Sequence, residues 1–259
     1  MIETKKNIVV VITGNIDAGK STLVGHLIEL MGGITKEKMA LLEEQAKQKN
    51  MESFKYAWIL DRLILERDKG LTIDLTYQNL DLPTHCITFI DSPGHYEFIK
   101  NMIVATCNAN AALLVVSASH KEFEFGMSDQ GQTKKHLILA YTLGVKKILV
   151  AINKMDSVKF SEERFVYIST IVRSLLTKLK YADIMIIPAS GWTGDNITTP
   201  SINMPWYYKS EKYRGITLLE ALNQIKVNAV HKSTKREVYK IGSLGEVCIR
   251  EGKSSELHK

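Results

Sequence analysis

The sequence predicts an α/β domain built on a doubly wound, mostly parallel sheet. Short, almost continuously apolar runs alternate with segments of helical spacing along most of the 259 residues. That alternation is what a parallel sheet covered by helices on both faces requires. The first apolar run leads directly into a glycine-rich turn that opens a helix. No segment has the composition of a repeat or a low-complexity tract, and no apolar run approaches the ~20 residues of a bilayer span.

Residues 7–13, 85–91, 111–116, 147–152 and 184–188 read as buried strands, because their hydrophobicity is continuous rather than alternating. Residues 71–80 alternate partly and read as a half-exposed edge strand. Helical spacing occupies 19–30, 95–106, 130–143, 161–179 and 216–226. Two further helix-like pieces, 36–49 and 54–65, form an insertion between the first helix and the edge strand, and the polar face of 36–49 reads as solvated. Residues 198–215 lack periodicity and read as an ordered loop, with Trp206, Tyr207 and Tyr208 packing it onto the domain. Past residue 230 a charged linker, 231–236, precedes a hairpin-like segment with glycines at its turn. The expected organisation is a main domain over 1–230 and a short C-terminal β stump within 231–259, too small to stand alone.

Composition excludes several classes. The chain is 45% hydrophobic and 24% charged, ordinary for a globular protein with a sizeable core. With no signal-peptide or membrane segment in view, the expected location is cytoplasmic. Cys86, Cys107 and Cys248 lack Cys-x-x-Cys spacing, which argues against a zinc site or a disulfide framework. The net charge is +6, but residues 209–259 hold 11 of the 34 Lys and Arg and only 6 of the 28 Asp and Glu. A basic excess confined to one end is weak support for a nucleic-acid partner.

The chemistry lies in four motifs. Gly14-Asn15-Ile16-Asp17-Ala18-Gly19-Lys20-Ser21 matches G-x-x-x-x-G-K-[ST] after a strand and before a helix, the context in which backbone N–H groups cradle phosphates. Lys20 supplies charge to the terminal phosphates, Ser21 offers its hydroxyl to Mg²⁺, and Thr22 follows at the head of the helix. Asp91-Ser92-Pro93-Gly94 ends the second core strand; Asp91 is placed to hold Mg²⁺ through water, and Gly94 to approach a γ-phosphate by its N–H. Asn153-Lys154-Met155-Asp156 follows the fourth core strand and selects the base. A carboxylate at Asp156 accepts from the N1–H and exocyclic amine of guanine, whereas adenine would leave it unpaired. Asn153 is expected to tie the base loop to the phosphate loop, and the Lys154 stem to pack over the nucleotide. Ser190-Gly191-Trp192 fits a fourth contact, backbone N–H groups meeting guanine O6. The residues therefore predict a binder of GTP and GDP with Mg²⁺, and residues 1–230 as its GTP-binding domain.

Longer stretches carry a family resemblance: Ser53–Trp58, Gly70–Asp74, Asp91–His95, Phe98–Met102, Gly131–Thr133, Ala140–Val145, Ser190–Asn196, Asn203–Trp206 and Val238–Gly242. In this order they resemble eukaryotic and archaeal translation elongation factor 1-alpha, of the translational GTPase superfamily. The resemblance implies that Thr72 joins Mg²⁺ in the GTP state, that 66–74 and 92–102 are the two switches, and that His95 positions the attacking water. It also implies that Ile16 and Leu71 form an apolar gate in front of His95, and that hydrolysis is slow without an activator. Implied partners are the ribosome, aminoacyl-tRNA and a nucleotide-exchange factor, with no membrane.

The sequence departs from that family in three ways. Asn15 stands where the family usually has His, and Tyr96-Glu97 replaces its usual basic-acidic pair after His95. The family continues into two β-barrel domains, of which Glu237–Glu251 resembles only the opening of the first, so 231–259 is the linker and incomplete start of a barrel. That expectation makes tRNA binding poor and supports a second reading, a truncated copy that binds nucleotide or protein partners without delivering tRNA. Release-factor and ribosome-rescue GTPases are a third, disfavoured by Ser53–Trp58 and Lys100–Met102.

Overall fold

Six strands form the sheet: β1 (Lys6–Thr13), β2 (Thr76–Asp81), β3 (His85–Asp91), β4 (Ala111–Ser117), β5 (Lys147–Asn153) and β6 (Met185–Pro188). The computed structural model describes residues 5–61, 64–226, 237–240 and 246–249. The strand order is β2-β3-β1-β4-β5-β6, with β2 antiparallel to β3 and the other pairings parallel. All seven residues of β4 are buried, as expected for a strand covered on both faces. At the sheet edge β2 alternates between buried and exposed positions.

The helices follow their sequence signals closely where a stripe exists. In α7 (Glu162–Lys178) Ser161 caps the first turn by accepting from the Arg164 N–H, and Phe165, Ile168, Val172 and Leu176 form one buried line. The other main helices are α1 (Lys20–Leu30), α4 (Ile99–Cys107), α6 (Thr133–Thr142) and α9 (Leu218–Asn223). A capping box between Thr217 and Glu220 opens α9. The insertion helix α2 (Lys36–Gln48) buries only Met39, Leu42 and Ala46, so most of its surface is solvated.

Four expectations need correction. Residues 54–65 are not one helix: they give 3₁₀ turns at Glu52–Phe54 and Ala57–Ile59, and α3 (Ile64–Lys69) starts only at their end. Ala57, Trp58, Ile59 and Leu60 are all buried, so this stretch has no polar face to present. It lies so close to α1 that a Cβ on Gly25 would fall 2.0 Å from the Tyr56 carbonyl oxygen. The edge strand begins at Thr76 rather than 71, because the Glu66 carboxylate takes the N–H groups of Ile73 and Asp74. The helix expected from residue 95 opens with a 3₁₀ turn, Tyr96–Phe98, capped by His95. Lastly, 198–215 contains a short helix, α8 (Pro205–Lys209), and sequence reasoning missed α5 (Glu122–Met127). Both are too short to show a period.

The aromatic loop packs as expected. Tyr207 is buried, and the Trp206 indole N–H donates to the Phe160 carbonyl at 2.9 Å. At the C-terminal end of β1, His136 of α6 is fully buried with its Nδ1 3.1 Å from Thr13 Oγ1. Burial, helped by the Lys20 charge, lowers its pKa to about 3. Below pH 6.5 the unfolded chain binds a proton that the folded imidazole refuses, so His136 withdraws about 1.4 kcal/mol of stability per pH unit as pH falls towards 3. Asp61 and Asp91, whose carboxyls are raised to about 7 and about 6, act in the opposite sense as pH falls. His136→Gln should therefore lose roughly 2 kcal/mol less than the parent between pH 6.5 and 5 in denaturant titrations. Parallel curves would show that His136 does not titrate as described.

The chain divides into two units, Met1–Ile225 and Lys226–Lys259. In the second, β7 (Glu237–Lys240) and β8 (Glu246–Ile249) pair antiparallel, from Glu237 opposite Ile249 to Lys240 opposite Glu246. The expected linker 231–236, the glycine turn and the tail past 250 lie outside the described residues. Among the described residues no helix is long and apolar enough to cross a membrane.

Candidate functional site

The turn between β1 and α1 is shaped by backbone angles few residues accept. Gly14 has φ 145° and Gly19 φ 78°, with Asp17 between them at φ 60°. A Cβ on Gly14 would lie 2.1 Å from the Val115 carbonyl oxygen, and one on Gly19 2.4 Å from Asn153 Nδ2. Lys20 is buried at the head of α1, and its Nζ donates to the Asn15 carbonyl at 3.0 Å. Burial lowers its pKa, against the opposing pull of Asp91 and Asp17. A Cβ on Gly94 would come 2.3 Å from that Nζ, so the D-x-x-G glycine sits against the loop lysine as the two motifs require.

Three oxygen side chains from separate segments meet beside it. The Ser21 hydroxyl donates to Asp91 Oδ2 at 2.6 Å. Having spent its proton there, it accepts from the Thr72 hydroxyl at 3.2 Å. The other Asp91 oxygen, Oδ1, is buried and has no hydrogen-bond partner among the described residues, and burial raises the carboxyl to about 6. An all-oxygen set with one orphaned carboxylate oxygen suits a hard cation such as Mg²⁺. Among the described residues no group of three His, Cys, Asp or Glu side chains could hold a metal.

The base end is organised by Asn153. Its amide donates to the Ala18 carbonyl at 3.0 Å and its Oδ1 accepts from the Gly191 N–H at 2.8 Å. One buried side chain thus joins the phosphate loop, β5 and the loop after β6. Asp156 Oδ1 accepts from Ser190 Oγ at 2.5 Å, leaving the carboxylate further acceptor capacity. Lys154 pairs with the Glu122 carboxylate at 2.9 Å.

A cleft of about 420 Å³ runs between these ends, within the range of small-ligand sites. Of the candidate residues, Ile16, Asp17, Gly19, Lys20, Ser21, Thr22, Thr72, Gly94, Asn153, Lys154, Asp156 and Trp192 line it. Gly14, Asn15, Ala18, Asp91, Met155, Ser190 and Gly191 stand behind that surface. Asn15 turns away to accept from the Gln132 N–H at 3.0 Å. Met155 is a core side chain whose N–H donates to the Ala189 carbonyl at 3.2 Å.

His95 is not brought into the cleft. Its Nδ1 accepts from the Glu97 N–H at 3.3 Å, and its ring lies 4.5 Å from that of Tyr96. Ile16 and Leu71 both line the cleft. Sequence reasoning assigned no site role to Ser53, Phe54, Ala57, Asp61 or Glu122, which line it too, beside Gly70 of the expected first switch. Asp61 had a usable signal: a carboxylate directly following four apolar residues. It is buried, and burial together with the Asp91 and Glu66 charges raises it to about 7.

A glycine loop of the G-x-x-x-x-G-K-[ST] pattern at the C-terminal end of β1, next to the point where the strand order reverses, and the Asn153–Asp156 segment at the end of β5 give the arrangement of the P-loop guanine-nucleotide-binding class. Residues 5–229 match the family described as the elongation factor Tu GTP binding domain. The chain belongs to that family, and its domain is a translational GTPase domain. It is 45% identical over 256 residues to elongation factor 1-alpha of Ignicoccus hospitalis, covering 95% of this chain and 57% of that protein. The Neurospora crassa elongation factor 1-alpha is 44% identical over 260 residues, with 95% and 56% covered. The chain thus spans a little over half the length of these relatives.

Among solved structures, the S. cerevisiae Ski7 GTPase-like domain bound to GTP shares the fold, with a TM-score of 0.75 at 22% identity over 92% of this chain and 55% of that one. Sup35 complexed with GDP gives a TM-score of 0.61 at 26% identity, over 94% and 51%.

Proposed function

We propose that this chain is an elongation-factor-like GTPase that binds Mg²⁺·GTP, hydrolyses it to GDP and phosphate, and acts in the cytoplasm in delivery of aminoacyl-tRNA to the ribosome. The observation that carries the reading is the meeting of Ser21, Thr72 and Asp91 beside Lys20, at one end of a cleft whose other end holds Asp156. Ser21 and Thr72 would ligate the ion directly and Asp91 through water; bound there, Mg²⁺ would neutralise charge on the β- and γ-phosphate oxygens.

This chain's own groups supply the rest. Loop N–H groups and Lys20 hold the phosphates and stabilise charge as the γ-phosphoryl group transfers. Water attacks the γ-phosphorus in line, a new P–O bond forms as the bond to the β–γ bridging oxygen breaks, and GDP leaves. His95 orients that water once Ile16 and Leu71 part. In this reading the placement of His95 against Tyr96 explains slow unassisted turnover.

His95→Ala should leave GTP and GDP affinity within about twofold and lower activator-stimulated single-turnover hydrolysis about 100-fold. Equal rates would remove His95 from the mechanism. Retention of aminoacyl-tRNA by the GTP-bound protein tests the delivery role: tight GTP binding with no retention would favour a nucleotide binder that does not carry tRNA.

A further inference from the structure

The loop that faces the base rests directly on α1, the helix that begins at the phosphates. A Cβ on Gly191 would lie 2.9 Å from Leu23 Cα, and one on Gly194 3.0 Å from His26 Cε1. His26, two turns along α1 from Lys20, is buried and its Nδ1 lies 2.8 Å from the Gly191 carbonyl oxygen. Burial lowers the pKa of His26, which favours a neutral ring donating through Nδ1–H. Gly191 therefore has both backbone groups fixed by side chains, its N–H by Asn153 and its carbonyl by His26.

The imidazole is itself clamped. Tyr56 stacks on it with ring centroids 3.8 Å apart and an interplanar angle of 7°, and the same Tyr56 meets Trp192 edge to face at 6.3 Å. Lys55 lies 4.9 Å above the Tyr56 ring and pairs with Glu43 at 2.7 Å. Tyr56 belongs to the insertion segment whose Ser53, Phe54 and Ala57 line the cleft.

We propose that His26 is a positioning residue for guanine recognition: with the Ser190 N–H held by the Asp195 carbonyl and the Gly191 N–H by Asn153, His26 holds the Gly191 carbonyl, Tyr56 clamps its ring, and together they aim the next N–H, that of Trp192 in the cleft lining, at the O6 of the base. The inference rests on the guanine reading of the cleft and adds to it a residue that touches no nucleotide. It also gives the insertion a task, since removing the Tyr56 ring frees the imidazole and loosens the base loop.

The test compares two diphosphates, GDP and its 2,6-diaminopurine analogue, which keeps the exocyclic 2-amine but has an amine in place of O6 and no N1–H, so each variant is read against the parent with the same nucleotide. His26→Ala should weaken GDP about tenfold, mainly through faster dissociation, and change the analogue by less than about twofold. His26→Asn, whose amide can still donate to the Gly191 carbonyl, should recover most of the GDP affinity. Tyr56→Ala should reproduce part of the loss and Tyr56→Phe none. An equal loss for both nucleotides would overturn the proposal, reducing His26 to general support of the fold, as would unchanged GDP affinity in His26→Ala. If His26→Ala fails to fold, the Tyr56 pair measured with the same two nucleotides decides. Failure of the parent chain to bind GDP would sink the guanine reading itself, a result distinct from these.

Discussion

Asp156→Asn should weaken GDP and GTP binding by about 30- to 1,000-fold while raising affinity for xanthosine nucleotides. The Asp156 carboxylate already accepts from Ser190 Oγ at 2.5 Å, which fixes its orientation toward the cleft it lines. Guanine offers the remaining acceptor sites two donors, N1–H and the 2-amine. Each hydrogen bond to a charged partner is worth roughly 1.5–3 kcal/mol. An asparagine retains one acceptor and turns a donor toward the 2-amine, so part of one bond survives and the other becomes repulsive. The net loss of about 2–4 kcal/mol gives the stated range at 1.4 kcal/mol per decade. Xanthine carries a carbonyl in place of the amine, and the new amide complements it. Ser190 can still donate to the asparagine oxygen, so the fold should survive. Competition of GDP, XDP and ADP against a fluorescent GDP measures all three. An unchanged preference for GDP over ADP would refute the base assignment.

The sheet and the four motifs were legible because each rests on local chemistry. The run 111–116 reads as a strand buried on both faces, which β4 is, and Gly14 and Gly19 announce backbone angles that other residues resist. Asn153 could be read as a bridge because its spacing after β5 leaves it at the strand end, beside the phosphate loop. What the sequence did not show depends on contacts between distant segments. Asp61 acquires its raised pKa from the Asp91 and Glu66 charges as well as from burial, and no local pattern encodes that neighbourhood.

The delayed start of β2 has the same origin, since a Glu66 side chain replaces ladder partners at Ile73 and Asp74. In the sequence His26 is one polar residue among the apolar positions that end α1, and sequence reasoning assigned it no role. Only the folded loop reveals that its partner is a backbone carbonyl 165 residues away. Asn15 is the reverse case: it sits inside a phosphate motif, yet its side chain braces the Gln132 N–H. Motif membership fixed the path of its backbone and left its side chain free for other work.

Lys20→Ala should abolish measurable hydrolysis and lower GTP and GDP affinity by roughly a thousandfold. The ammonium is buried, and Gly94 approaches it so closely that even one added methyl would collide. A charge-assisted contact to phosphate in so dry a setting is worth about 2 kcal/mol, and two such contacts supply about 4 kcal/mol. The same crowding means that Lys20→Arg should not rescue binding, because the broader guanidinium needs room that Gly94 and the Asn15 backbone already occupy. A second consequence follows for Asp91. Lys20 is one of the influences holding that carboxyl down against its burial, so its loss should push the Asp91 pKa above about 6. GDP should then raise the melting temperature of the parent strongly and that of the variant hardly at all at equal concentration. Fluorescent-nucleotide titration gives the affinity directly. A variant within about fivefold of the parent would mean that the loop amides alone hold the phosphates, and that the buried lysine serves the fold through Asp91 rather than the nucleotide.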